Sequence, residues 1–273
     1  MTSRIILPLI LTVASFCFTS CGSVQERKLK LWWEDADFSV NEAVSDIDRL
    51  EEHFAGYCEL LSDVSLQVAS ESICSFVDKL KNNELLFYIY YEMFCSALYS
   101  IDSPFRNEVL FDVYLDKAMN SGVFKGYEME RINNIARLSK LSRPGEKIPD
   151  SEIISLSGES VNLHDFLSSV EQTLMVVVDP NCPYCLEIVD KIENDITVKE
   201  MTEDGRLKML LLSVFPDIST MSRACDNVSS FWNIFVAGHD IDKVIDRSLS
   251  PSYYLIGKDA VVRRKASNDF PVF

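Results

Sequence analysis

The sequence predicts an all-α region followed by an α/β domain with a central mixed sheet and flanking helices. Three observations carry this prediction. Apolar residues recur every three or four positions from about residue 40 to 142, and strand-like alternation is nearly absent there. The cluster Ser142-Arg143-Pro144-Gly145 then breaks the pattern. Beyond it, short buried apolar runs alternate with helical segments, as in a sheet covered on both faces. A chain of 273 residues, 47% apolar and 25% charged, is long enough and apolar enough for two globular domains.

The N-terminus supplies an address. Met1-Thr2-Ser3-Arg4 is short and positive, and Ile5 to Phe18 is mostly apolar. Residues 1–20 therefore read as a signal peptide, too short for a comfortable membrane span. The tail Phe18-Thr19-Ser20-Cys21 resembles a bacterial lipobox. By that resemblance Cys21 becomes the lipidated first residue of an exported, envelope-anchored protein, facing the periplasm rather than the cell surface. An ordinary signal peptide cut nearby, with Cys21 incidental, is the alternative. Residues 21–36 read as the lipidated cysteine and a tether, with Gln25, Glu26, Arg27, Lys28 and Lys30 as its polar part.

The helical domain is expected over residues 37–142. Val44, Ile47, Leu50, Phe54, Tyr57 and Leu61 form one apolar helix face. Ile73, Phe76, Val77 and Leu80 form the next, ended by Asn82-Asn83. Leu85 to Tyr99 is apolar almost all round and reads as a buried helix, so Tyr88, Tyr90, Tyr91 and Phe94 are core before they are a binding stripe. Ser103-Pro104 reads as a helix start with proline at the first helical position. Tyr127 to Leu141 supplies a further helix, and no repeat at a solenoid period is present.

The α/β domain is expected over residues 143–273. Strands are predicted at 153–156, 161–163, 174–179, 207–214, 252–256 and 260–264. Helices are predicted at 165–170, 185–197, 218–228 and 241–249. The run Cys182-Pro183-Tyr184-Cys185 falls between the third strand and a helix start. Two cysteines at that spacing and place form a thioredoxin-like redox motif. Unpaired N–H groups at a helix N-terminus favour the thiolate, the species that attacks disulfides. The second cysteine, one turn on, can close on the first.

Gly145 to Asp150, Leu156 to Leu163, the strand ending at Asp179, the motif at 182–185 and Ser250-Pro251-Ser252-Tyr253-Tyr254-Leu255-Ile256 resemble TlpA/ResA-like thioredoxin-fold proteins. The whole chain is similar to Bacteroidetes-type exported lipoproteins, in which a helical domain of unknown function precedes the thioredoxin-like domain. Ser103-Pro104-Phe105-Arg106-Asn107-Glu108 fits the helical half. The resemblance implies a periplasm-facing thiol–disulfide oxidoreductase with Cys182 attacking and Cys185 resolving. It implies that Pro251 is a cis-proline orienting an incoming chain. Its partners are then protein thiols and disulfides, an unidentified reductant, and the membrane through the anchor on Cys21. No cofactor is expected beyond the redox-active disulfide itself. Pro183 and Tyr184 are those of glutaredoxins, whose potentials of about −200 to −230 mV make milder reductants than thioredoxin at about −270 mV.

Several positions depart from thioredoxin. Val176 stands where a buried acid is usual, Asn181 replaces the tryptophan before the first cysteine, and Ser250 precedes the proline. Glu187 is either a proton-transfer group or an exposed helix glutamate. The usual C-terminal helix is short or missing, its place taken by Asp269 to Phe273 or by the helical domain.

Other classes fit less well. A net charge of −16 argues against nucleic acid and against adhesion to anionic lipid. Structural zinc needs four ligands, and His53, His164 and His239 fall in no ligand spacing. Peroxiredoxins place threonine where Asp179 stands. Of the eight cysteines, Cys58, Cys74, Cys95 and Cys225 read as buried thiols or, in an oxidising compartment, as partners for one another. The rival from another class is an envelope binding lipoprotein whose thioredoxin-like domain is structural or redox-inactive.

Overall fold

The structure is a computed structural model and describes residues 24–34, 46–100 and 103–266. The signal peptide, Cys21, Val44 and Asp269 to Phe273 lie outside the described residues. Among the described residues no helix is long and apolar enough to cross a membrane.

The first described segment corrects the sequence reading. Val24–Leu31 is a helix, α1, rather than a tether. Leu29 is its one buried residue among mostly charged neighbours, which is why its composition reads as linker. Leu29 and, just beyond, Trp33 are buried in the helical core. Trp33 packs on Phe76 with ring centroids 4.3 Å apart, and Trp32 stacks on His53 at 4.8 Å.

Three helices follow, each started by a side chain that accepts an otherwise unpaired N–H. Asp46 caps α2 (Ile47–Ser62), Ser65 caps α3 (Leu66–Leu80) and Asn83 caps α4 (Glu84–Phe94). A π-helical turn, Cys95–Tyr99, prolongs α4. Tyr90, Tyr91 and Phe94 are buried, so the aromatic stripe is core, and Phe94 stacks on Tyr114 at 3.9 Å. Glu108–Met119 (α5) and Tyr127–Leu138 (α6) complete the helical region.

Ser103-Pro104 does not start a helix. The Ser103 hydroxyl accepts the Phe105 N–H at 3.1 Å and forms a local turn. Asn107 starts α5 instead, because its side chain takes the N–H groups of both Val109 and Leu110.

The second region is a seven-stranded sheet of order β2-β1-β5-β4-β3-β6-β7. Its strands are β1 (Glu152–Ser155), β2 (Ser160–Asn162), β3 (Gln172–Val178), β4 (Leu207–Ser213), β5 (Trp232–Ala237), β6 (Ser252–Gly257) and β7 (Val262–Ala266). The central trio β3, β4 and β5 is parallel, and β6 joins β3 antiparallel. Strand alternation sorts the core into two layers. Leu174, Val176 and Val178 of β3 face one, while Met175 and Val177 face the other. The first layer lies under α8 (Pro183–Asn194), α9 (Ile196–Glu203) and α10 (Ile218–Ala224). The second takes α7 (Leu163–Leu167) and the stretch containing Ile241, Val244 and Ile245.

Three sequence assignments change here. Strand β5 was not predicted. Residues 185–197 do not form one helix, since Asp195 ends α8 and caps α9 through the Val198 N–H. Residues 241–249 hold a single 3-10 turn, Ile241–Lys243, before the chain turns toward the helical region.

The helical region covers the β6–β7 end of the second layer. Lys265 sits opposite Tyr254 in the β6–β7 register, so both project to that face. The Lys265 side chain, 5% exposed, pairs with Glu108 at 3.0 Å and donates to the Leu141 carbonyl at 3.1 Å. Arg143 donates to the Asp112 carboxylate at 2.8 Å from the second region's first residues.

Candidate redox site

The motif is placed by the parallel centre of the sheet. Strand β3 ends at Val178, and the chain turns through Asp179 to Asn181. The Asp179 carboxylate accepts the Asn181 N–H at 2.8 Å, and its carbonyl accepts the Cys182 N–H at 3.0 Å. That turn sets Cys182 as the residue before α8, with Pro183 at the first helical position, where its missing N–H costs nothing. Cys182 is half-buried, and Tyr184 is exposed beside it.

Cys185, one turn into α8, is fully buried. Its layer is apolar, built from Val176, Val178, Ile188, Val189 and Tyr253. Val176 pairs across to Tyr253, so the place of the usual acid is filled by hydrocarbon and a phenol. Burial pushes the Cys185 thiol up to about 11, while the Ser250 hydroxyl and a backbone hydrogen bond from Asp179 pull the other way. The contact with Ser250 Oγ spans 3.6 Å. Glu187 is exposed on α8. Burial also raises the Tyr253 phenol, which therefore stays protonated.

The peptide bond between Ser250 and Pro251 is cis. Pro251 is buried and leads straight into β6, next to β3. The structure thus brings together Cys182, Cys185, Ser250 and Pro251 at one end of the sheet, with Pro183 and Tyr184 on the first turn of α8 between the cysteines. Ser250 is the partner that sequence reasoning passed over as a mere departure. Its position directly before Pro251 was the available signal. All six described cysteines, including Cys58, Cys74, Cys95 and Cys225, are free thiols. Burial raises those of Cys58 and Cys95 to about 12 and that of Cys225 to about 11.

The second region is a thioredoxin-like fold with a Cys-Pro-Tyr-Cys pair at the start of a helix. The helical region ahead of it has its own kinship: residues 28–142 match a family described as domain of unknown function (DUF5106). The match begins inside α1, in accord with the packing of that helix. A thioredoxin-like protein from Bacteroides caccae has a similar structure over both regions. Its identity is 20%, its TM-score 0.79, and the overlap covers 98% of this chain and 96% of that one. The thioredoxin domain of a thiol-disulfide oxidoreductase from Bacteroides vulgatus overlaps 45% of this chain and 87% of its own. That pair is 20% identical with a TM-score of 0.38. No curated protein matches the chain.

Proposed function

We propose that the protein is a membrane-anchored, extracytoplasmic thiol–disulfide oxidoreductase. One observation carries the reading: an accessible cysteine begins α8, and a buried one stands a turn behind it against Ser250.

The chemistry runs in two exchanges. The Cys182 thiolate attacks one sulfur of a substrate disulfide, and that S–S bond breaks. One substrate sulfur leaves as a thiolate and takes a proton from water. The other stays bound to Cys182 as a mixed disulfide. Cys185 then loses its proton, attacks the Cys182 sulfur and expels the second substrate thiolate, which is protonated in turn. Two electrons and two protons pass from the dithiol to the substrate. A separate thiol reductant restores the pair. Pro251, adjoining Ser250, orients the incoming chain, and lipid on Cys21 holds the protein at the envelope.

Insulin reduction by the wild type and by Cys182→Ser tests this. Thiol-dependent reduction lost in the variant supports it. No activity in either, with a Cys182–Cys185 disulfide inert to dithiothreitol, favours the binding-lipoprotein reading. Mass spectrometry of the mature N-terminus tests the anchor, and an unmodified Cys21 removes it.

A further inference from the structure

The loop that touches Cys185 is held from the helical region. Ile241, Val244 and Ile245 anchor its beginning in the sheet core. Asp246 is 3% exposed, and its carboxylate accepts the Ser248 N–H at 2.9 Å and the Ser248 hydroxyl at 2.7 Å. The same carboxylate accepts the hydroxyl of Tyr99, at the end of the π-helical turn after α4. Burial and the Asp246 charge both keep the Tyr99 phenol protonated, so it remains a donor. Leu249, 4% exposed, belongs to the helical core rather than to the sheet. The next residue, Ser250, reaches the Cys185 sulfur.

We propose that Tyr99 and Leu249 are positioning residues for the cysteine pair, fixing the 246–250 loop so that Ser250 stays on Cys185. The helical region then acts as a built-in support of the thioredoxin-like site. Here the chain leaves the sheet core at Ile245, is tied and buried in the other region at Asp246 and Leu249, and returns at Ser250. A shift of Leu249 within the helical core therefore moves the hydroxyl that contacts the resolving thiol. The proposal deepens the redox reading, but its geometry is independent of whether turnover occurs.

The experiment measures alkylation of Cys185 against pH in full-length protein carrying Cys182→Ser, read by mass spectrometry on the Cys185 peptide. Tyr99→Phe and the milder Leu249→Val are added singly, with thermal unfolding to confirm a folded chain. The expected result is an upward shift of the pH midpoint in both, equivalent to an about threefold smaller thiolate fraction at fixed pH. Asp112→Asn, which breaks the Arg143 pair between the two regions but touches no residue of 246–250, leaves the midpoint in place. Unchanged midpoints in the first two variants, or an equal shift in Asp112→Asn, overturn the proposal. A wild type that fails to exchange with glutathione while the midpoints still move defeats the oxidoreductase reading alone.

Discussion

The Cys185 sulfur and the Ser250 hydroxyl lie 3.6 Å apart, and Ser250 is the polar side chain in hydrogen-bonding contact with that thiol. In an apolar layer that includes Val176, Val178, Ile188 and Tyr253, this contact, together with a backbone hydrogen bond from Asp179, offsets part of the cost of forming the thiolate. A hydrogen bond of this kind is worth about 1 kcal/mol, or roughly fivefold in an equilibrium. Ser250→Ala is therefore expected to slow resolution of the Cys182 mixed disulfide by about fivefold. Attack by Cys182 is expected to be unchanged. Single-turnover quenching with a disulfide substrate separates the two steps, and a mixed disulfide that does not accumulate argues against the role.

The same thiol sets a pH dependence. With Cys185 raised to about 11, its thiolate fraction rises throughout the neutral range and beyond. Resolution is expected to accelerate about tenfold per pH unit until that value is approached. Stopped-flow release of the second substrate thiol between pH 7 and pH 9 measures it; a flat profile would show that another group takes the proton.

Val176→Asp restores an acid where thioredoxin has one. The side chain enters a fully buried position with hydrocarbon around it. The substitution is expected to cost roughly 3 kcal/mol or more of stability, because the polar group lacks a partner. It is also expected to raise the resolution rate at neutral pH, since a proton acceptor then stands in the Cys185 layer. Denaturant melts and single-turnover rates on one preparation check both halves.

The buried pair Lys265–Glu108 fixes the two regions together, and its two ends are not equivalent. Burial lowers the Lys265 ammonium below its ordinary 10.5, with Glu108 opposing that shift. The unfolded chain thus binds this proton more tightly than the folded one. The lysine's contribution is most favourable above the unfolded value and is lost as pH falls through the lower, folded value. Lys265→Met is expected to be neutral or stabilising at pH 7, as hydrocarbon replaces a desolvated charge beside a Glu108 that keeps Arg106 at 2.6 Å. Glu108→Gln strands the lysine and is expected to cost about 3 kcal/mol. Chemical denaturation at pH 7 and pH 10 tests the order; a wild-type advantage over Lys265→Met that shrinks on raising pH contradicts the sign.

How much of this was legible in sequence depends on how local each signal is. The spacing from Ile47 to Leu61 and the runs forming β3 and β4 report their own burial, and the cysteine pair reports its place on a helix. Helix 24–31 hid because Leu29 is its one buried residue, set in a largely charged stretch. Strand β5 hid because its second and third residues are only partly buried and interrupt the apolar run, although it lies between β1 and β4. Ile241, Val244 and Ile245 carry helical spacing, yet they dock on a sheet face, and the chain is then drawn off by Asp246 and Leu249. The Tyr99–Asp246 bond joins residues 147 apart, and no local pattern announces it.

The surface around Cys182 makes a last prediction about substrate size. Tyr184 is 44% exposed on the first turn of α8, and Phe215 is 42% exposed just after β4. The two segments follow the same end of adjacent parallel strands, since the Val214 N–H donates to the Val178 carbonyl at 3.0 Å. Two aromatic side chains left in water at one rim offer apolar contact to a polypeptide flanking a disulfide, and little to a small one. Such a contact is worth about 1 kcal/mol or more when an aromatic ring is buried against a partner. Phe215→Ala is expected to lower kcat/KM for a protein disulfide by about fivefold, acting through KM, while leaving turnover of a small aromatic disulfide within a factor of two. Tyr184→Ala is expected to do the same with an added change in potential, because it alters the motif itself. Parallel assays with insulin and the small disulfide decide it. Equal losses on both substrates would place Phe215 in support of the cysteine loop rather than in contact with the substrate.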